Sequence, residues 1–202
     1  MIFGGSLGLF SVPALTFLVN PVTGALGALA LVSYVAVYTP MKQRSSAAIL
    51  VGAIPGALPP LMGWTAASGT IDPPGLVLFG ILFFWQVPHF LAISIYRETE
   101  YAKAGLKTLP AERGLGAAKR QAFLYTGALV VCTVLLAFFR TAGVIYLAAA
   151  ILLGAHFLFV AAKGFQIEER PAVDAWAKKL FVTSLIYLTA LFAALMVDAI
   201  VL

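Results

Sequence analysis

Six stretches of this chain, residues 1–41, 45–71, 73–96, 121–139, 141–162 and 180–197, contain no Asp, Glu, Lys or Arg. A helix crossing a bilayer needs about 20 apolar residues, so five of these runs are single spans and the first is long enough for two. Asn20-Pro21 is the place to divide it, because Pro21 lacks an amide donor and biases the residue before it away from helical backbone. The expected fold is an all-α polytopic bundle of seven helices, near 2–19, 22–40, 46–67, 74–96, 120–139, 142–163 and 179–200, forming one membrane domain over 1–202. Strands of a membrane barrel would alternate over about 10 residues, and Leu129-Val130-Val131-Cys132-Thr133-Val134-Leu135-Leu136 does not. Composition agrees: 62% hydrophobic and 10% charged residues stand far from the soluble averages of about 45–50% and about 25%.

The same seven helices sort the bases. Lys42, Arg44, Arg97, Lys103, Lys107, Arg113, Lys119, Arg120, Lys163, Arg170, Lys178 and Lys179 fall on one side, and Arg140 on the other. The positive-inside rule makes the crowded side cytoplasmic. The loops 41–45, 97–119 and 164–178 and the first residue then face the cytoplasm, with the C-terminus opposite. The net charge of +5 is thus a matter of topology and needs no nucleic-acid partner. The first apolar run lacks a basic leader and continues into the next span, so it reads as a helix rather than a cleaved signal peptide. Cys132, the single cysteine, cannot form an internal disulfide and reads as a small core residue.

Chemistry is expected where bases meet unusual backbone. Lys42 and Arg44 precede Gly52-Ala53-Ile54-Pro55-Gly56-Ala57-Leu58-Pro59-Pro60-Leu61-Met62-Gly63-Trp64. Broken backbone is tolerated at membrane depth only where protein, water or ligand satisfies it, so this interrupted segment is expected to line a cavity beneath a basic rim. Beyond Tyr96 the fourth helix is expected to continue to about Ala104, where Gly105 ends it. Tyr96, Glu100, Lys103 and Lys107 would share one face, with Glu98 about 200° from Glu100. Two interpretations remain open here: a solvated helix with ordinary ion pairs, or an anion site. In the second, Lys103 or Lys107 holds phosphate oxygens and Glu100 holds a bridging divalent cation. Deeper, His89 lies beside Pro88, which frees a carbonyl near residue 84. An intramembrane ionisable residue at a kink is a site candidate, the alternative being a neutral His bonded to a neighbouring helix. His156 lacks such surroundings and reads as structural, while Asp72 and Asp198 read as interfacial.

Taken in order, Tyr38-Thr39-Pro40-Met41-Lys42-Gln43-Arg44, the Gly52 to Trp64 block, Trp85-Gln86-Val87-Pro88-His89, and Glu100-Tyr101-Ala102-Lys103-Ala104-Gly105 with Leu109-Pro110 resemble the protohaem IX farnesyltransferases (haem O synthases), a branch of the UbiA-type intramembrane prenyltransferases. The resemblance implies a helical bundle around a lateral cavity where farnesyl diphosphate meets haem B. The farnesyl group would join a haem vinyl carbon to give haem O, with Mg²⁺ helping to hold the leaving diphosphate. By the same resemblance Lys42 and Arg44 become catalytic diphosphate contacts, Glu100 the acidic metal residue, and Lys103, beside Lys107, a phosphate contact. Tyr38, Trp85 and His89 become cavity residues, with His89 meeting haem. A bacterial inner membrane is the implied location, with haem A synthase or terminal-oxidase assembly as partners.

Two departures qualify the match. The family has Asp-Tyr where this chain has Glu100-Tyr101, and the family's first two helices with their Asn-x-x-x-Asp-x-x-x-Asp motif have no counterpart, since no Asp precedes Asp72. Met1 therefore resembles an internal methionine or the start of a fragment, and this polypeptide alone is expected to be weakly active or inactive. A quinone or chlorophyll prenyltransferase is the nearest alternative, because the diphosphate chemistry is shared. A small transporter would also use broken helices, but the charge-free spans lack the mid-membrane Asp or Glu that ion coupling favours.

Overall fold

The computed structural model describes residues 2–139 and 141–201, so Met1 and Arg140, both invoked above, lie outside the described residues. Helices α1 (Ile2–Ala14), α2 (Pro21–Val32), α3 (Thr39–Met41), α4 (Ala48–Ser68) and α5 (Pro73–Tyr96) come first. They are followed by α6 (Glu98–Lys103), α7 (Leu109–Arg113), α8 (Leu115–Phe138), α9 (Val144–Lys163) and α10 (Arg170–Val201). Among the described residues six helical stretches are long and apolar enough to cross a membrane, and a shorter apolar helix, Ser6–Val19, accompanies them near the N-terminus. The protein is a multi-pass, all-α membrane bundle.

Helix α5 is the axis of the molecule. It packs against α4, α8 and α10, while α9 lies against α8 and α10, and α2 with α1 forms an outer wall on α4. Ile81, Leu91, Ile95, Leu129, Leu136, Phe157, Tyr187 and Leu191 are sealed at the centre. On the wall, by contrast, Phe10, Phe17 and Leu18 are largely exposed.

The end of the bundle opposite the bases is closed by side chains that occupy free helix ends. Asn20 accepts from the Thr23 amide at 2.8 Å, and its own amide donates to the Thr65 carbonyl at 2.8 Å, so the divide at Asn20-Pro21 is also a tie between α2 and α4. Asp72 caps α5 through the Gly75 amide at 3.3 Å. Asp198 sits at the start of α9, a helix end, and is enclosed by protein there. It is only 3% exposed, and its Oδ2 accepts from the Gly143 and Tyr146 amides at 2.8 and 2.7 Å, capping α9 from α10. A carboxylate at a helix N-terminus satisfies otherwise orphaned donors and complements the macrodipole. Asp198→Ala is therefore expected to destabilise the bundle by about 2 kcal/mol, the upper end for helix caps, seen as a lowered unfolding temperature in detergent. An unchanged temperature would show that the cap contributes nothing.

Three expectations are corrected, and one feature is added. The Gly/Pro-rich segment is not interrupted: α4 runs unbroken through Pro55, Pro59 and Pro60 to a left-handed cap at Gly69 (φ 76°). Each proline removes one donor, and in a membrane bundle neighbouring helices and local adjustment absorb that loss. Helix α5 does not continue to Ala104 but stops at Tyr96, with Arg97 at φ −111°, ψ 24° before α6 begins. The cause lies outside the local sequence: Arg170 Nη2 donates to the Ile95 carbonyl at 3.2 Å and to Glu98 at 2.6 Å, ending one helix and fixing the next. Helices α8 and α10 start at Leu115 and Arg170, ahead of the expected 120 and 179, because Ala118, Val173, Trp176 and Ala177 are already buried in those first turns. Finally, Leu15–Val19 and Ser33–Tyr38 are π-helical. The second lies just before Pro40, whose missing amide loosens the α register, and Thr39 donates from both backbone and hydroxyl to the Tyr34 carbonyl.

Candidate active site

Between the α2 wall, α4, α5 and the chain from Tyr101 to Leu109 lies a cavity of about 760 Å³. Its mouth is at the basic end, where Lys42, Ser46, Lys107 and Thr108 meet, and its body is formed by Tyr34, Tyr38, Ile49, Gly52, Pro55, Gly56, Gln86, Phe90 and Ser94 among others. The volume is in the range of small-molecule sites, and the pattern of apolar walls with a few polar groups is typical of them.

The rim is stitched by two contacts between distant segments. The Lys107 amide donates to the Lys42 carbonyl at 3.3 Å. Glu112 Oε2 accepts from the Ser46 amide at 3.0 Å, and hydrogen bonding to Ser46, through its side chain first and this amide second, holds the Glu112 carboxyl below its usual range. Together they fasten the loop after α6 to the turn that precedes α4. Lys42 is half-buried, with its Nζ 6.0 Å from the Tyr38 ring centroid, and Tyr38 in turn leans on Tyr34 with centroids 5.2 Å apart. Tyr101 closes the loop side of the mouth, where burial holds its phenol above the usual range and so neutral. An ammonium over aromatic faces above an apolar hollow is suited to an anionic head with a hydrocarbon tail.

Of the side chains singled out from sequence, Tyr38, Lys42 and Lys107 line this cavity. Arg44 is exposed on the turn beside it, and Lys103 is exposed on α6. Glu100 is exposed too and pairs with Arg97 at 2.6 Å, while its neighbour Tyr101 takes the inward position. Trp85 and His89 lie on another face of α5, about 100° round from the cavity face, against α10. Trp85 Nε1 donates to the Ser184 carbonyl at 2.7 Å, and His89 Nδ1 lies 2.8 Å from Ser184 Oγ, its ring stacked on Trp85 at 4.5 Å. His156 is exposed on α9 beside a recess of about 30 Å³ with Thr183 and Tyr187. Cys132 is buried, its Sγ 3.5 Å from the Val77 carbonyl.

The cavity face of α5 is instead Gln86, Phe90 and Ser94, which were not singled out. Their spacing of four is the signal that was available, since residues four apart share a helix face. Tyr34, four before Tyr38, carries the same signal. Small residues make this face possible. A Cβ on Gly52 would lie 2.6 Å from the Tyr38 ring, and one on Gly56 would lie 2.0 Å from Gln86 Oε1.

Could these residues hold a divalent cation? Among the described residues no three His, Cys, Asp or Glu side chains converge. Glu98, Glu100 and Glu112 are each engaged, by Arg170, Arg97 and Ser46 respectively. The described donor set does not by itself form a cation site.

Comparison with known proteins bears on the family and the fold. The model of the UbiA prenyltransferase family matches residues 1–196. The chain is 52% identical over 196 residues to a protoheme IX farnesyltransferase of Myxococcus xanthus, covering 97% of this chain and 66% of that protein. It is 48% identical over 198 residues to a protein of that name from Sorangium cellulosum, covering 98% and 69%. The chain thus spans about two thirds of the length of these curated relatives. A solved structure described in connection with digeranylgeranylglyceryl phosphate synthase superposes with a TM-score of 0.84 at 16% identity, over 99% of this chain and 69% of that one. That likeness establishes the shared fold.

Proposed function

Because this chain belongs to the UbiA prenyltransferase family, we propose that it carries out protohaem IX farnesyl transfer, moving the farnesyl group of farnesyl diphosphate to a vinyl carbon of haem B. The observation that carries this is the cavity itself: apolar enough for an isoprenoid and a porphyrin entering from lipid, with the Lys42 and Lys107 cations at its mouth. The names of its relatives supply the acceptor.

In this mechanism the diphosphate lies at the rim against Lys42 and Lys107, with Arg44 and Lys103 near enough on neighbouring turns to add to the positive field. Breaking the allylic C–O bond sends the electron pair out with pyrophosphate, and the bases stabilise the charge that develops there. Tyr34, Tyr38 and Tyr101 present π faces to the allylic cation. The vinyl π pair then forms the new C–C bond, and water quenches the cation left beside the porphyrin, releasing a proton. Mg²⁺, expected from the resemblance, would neutralise further diphosphate charge, although the described carboxylates give it no complete site. The basic end faces the cytoplasm of a bacterial inner membrane under the positive-inside rule. A product this apolar stays in the bilayer, where haem A synthase or terminal-oxidase assembly would receive it.

The test is to incubate membranes carrying the protein with haem B and farnesyl diphosphate and to follow haem O by chromatography. Haem O is expected. Prenylation of an aromatic quinone precursor, with haem B untouched, would replace this reading with that of a quinone prenyltransferase.

A further inference from the structure

Gln86 is a carboxamide set in a span that is otherwise nearly free of polar side chains, and it is only 7% exposed. Its amide nitrogen donates to two backbone carbonyls, Leu82 at 3.0 Å and Ala53 at 3.3 Å. Both neighbours are acceptors, so the orientation of the amide is dictated: the NH₂ must face them and the oxygen must face the other way. That other way is the cavity. Oε1 passes over Gly56 so closely that a Cβ there would lie 2.0 Å from it, and Gln86 and Gly56 both line the hollow. Among the described residues both side-chain hydrogen bonds of Gln86 are made by its nitrogen, and Oε1 is not among the enclosed atoms that lack a partner, which leaves it open to a ligand.

Depth makes this acceptor informative. Gln86 lies ten residues before the end of α5 at Tyr96, about 15 Å below the basic end at 1.5 Å per residue. Phosphate groups are held at the mouth and do not reach that level, and an isoprenoid tail has no hydrogen to donate. A carbonyl oxygen facing hydrocarbon with no donor is unfavourable, so this part of the wall disfavours the prenyl chain and favours a ligand with an O–H group.

We propose that Gln86 marks the acceptor subsite of the cavity, its carboxamide oxygen taking a hydrogen bond from an O–H group on the substrate that receives the prenyl chain. The assignment rests on the haem reading above, in which the O–H belongs either to a propionic acid or to a water on the iron. Gly56 is part of the device, because only a residue without a side chain leaves room for that oxygen.

The test uses the full chain in lipid nanodiscs, with porphyrin binding followed by the Soret band and farnesyl diphosphate binding by calorimetry. The probes are haem B, haem dimethyl ester, which lacks the acid O–H, and metal-free protoporphyrin IX, which lacks the axial water. Wild type is expected to bind one of the two analogues about three- to tenfold more weakly than haem B, the loss of one ordinary hydrogen bond. Gln86→Leu and Gln86→Met should bind haem B weaker by the same factor, lose nothing further with that analogue, and keep wild-type affinity for farnesyl diphosphate. The assignment is overturned if both variants bind haem B as wild type does, if they lose farnesyl diphosphate equally, or if wild type discriminates against neither analogue. In those cases haem O synthesis by wild type would leave the proposed function standing. A wild-type chain that binds no porphyrin at all would remove the haem reading and this subsite together.

Discussion

Lys42→Ala is expected to lower kcat/KM for farnesyl diphosphate by about 100-fold or more, the scale seen when one group stabilising a developing anion is removed. Lys42 is half-buried at the mouth, and the bond from the Lys107 amide fixes its backbone, so the ammonium is delivered to one place. Lys107 also lines the mouth but is exposed, where water and salt screen its charge. Arg44→Ala, at an exposed position off the lining, should therefore give a much smaller loss. The measurement is steady-state haem O formation with pyrophosphate as product inhibitor, and inhibition by pyrophosphate should weaken in parallel in Lys42→Ala. Wild-type kinetics in that variant would remove the diphosphate from this rim.

The second large effect needs no loss of a functional group. Gly52→Ala adds one methyl, which would stand 2.6 Å from two atoms of the Tyr38 ring. The ring has to move into the cavity, carrying the face over which Lys42 lies. A loss of about tenfold to 100-fold is expected, since a misplacement of about 1 Å at a reacting centre has that order of cost. Gly63→Ala in the same helix meets nothing within 4 Å and is the control. It should be neutral or slightly stabilising, because Ala favours helix over Gly by about 1 kcal/mol. In a Tyr38→Ala background Gly52→Ala should do little more, and that non-additivity in a double-mutant cycle is the signature of the contact. Additive losses would mean that Gly52 acts by some other route.

How much of this could be read from residues alone depended on whether a side chain had one environment open to it or two. Charges cannot lie along lipid, so the charge-free runs located the helices. The first turns of α8 and α10 escaped because bases such as Lys119 and Arg170 stand beside buried apolar residues at the membrane boundary, where charge no longer marks an end. The stop after Tyr96 escaped because its cause, Arg170, is 75 residues away from Ile95. At the site, Tyr38 and Lys42 belong to a turn whose polarity singles it out. Trp85 and His89 were harder, since α5 is apolar nearly all round and its sequence does not say which face meets α10 and which meets the hollow. A rotation of about 100° separates Trp85 from Gln86, and only packing against Ser184 on one side and Ala53 on the other decides it. For Glu100 the side-chain type suggested a ligand, while the break at Arg97 supplied a nearer cation.

The widened turn at Ser33–Tyr38 sets the phase of everything beyond it. An α-helix advances about 100° per residue and a π-turn less, so the same residues wound as regular α-helix would turn Lys42 by about 100°, away from the mouth, and removing one residue would bring it back. A change of winding in this wall, with no exchange of side chains at the mouth, is thus enough to switch the grip on an anionic head on or off.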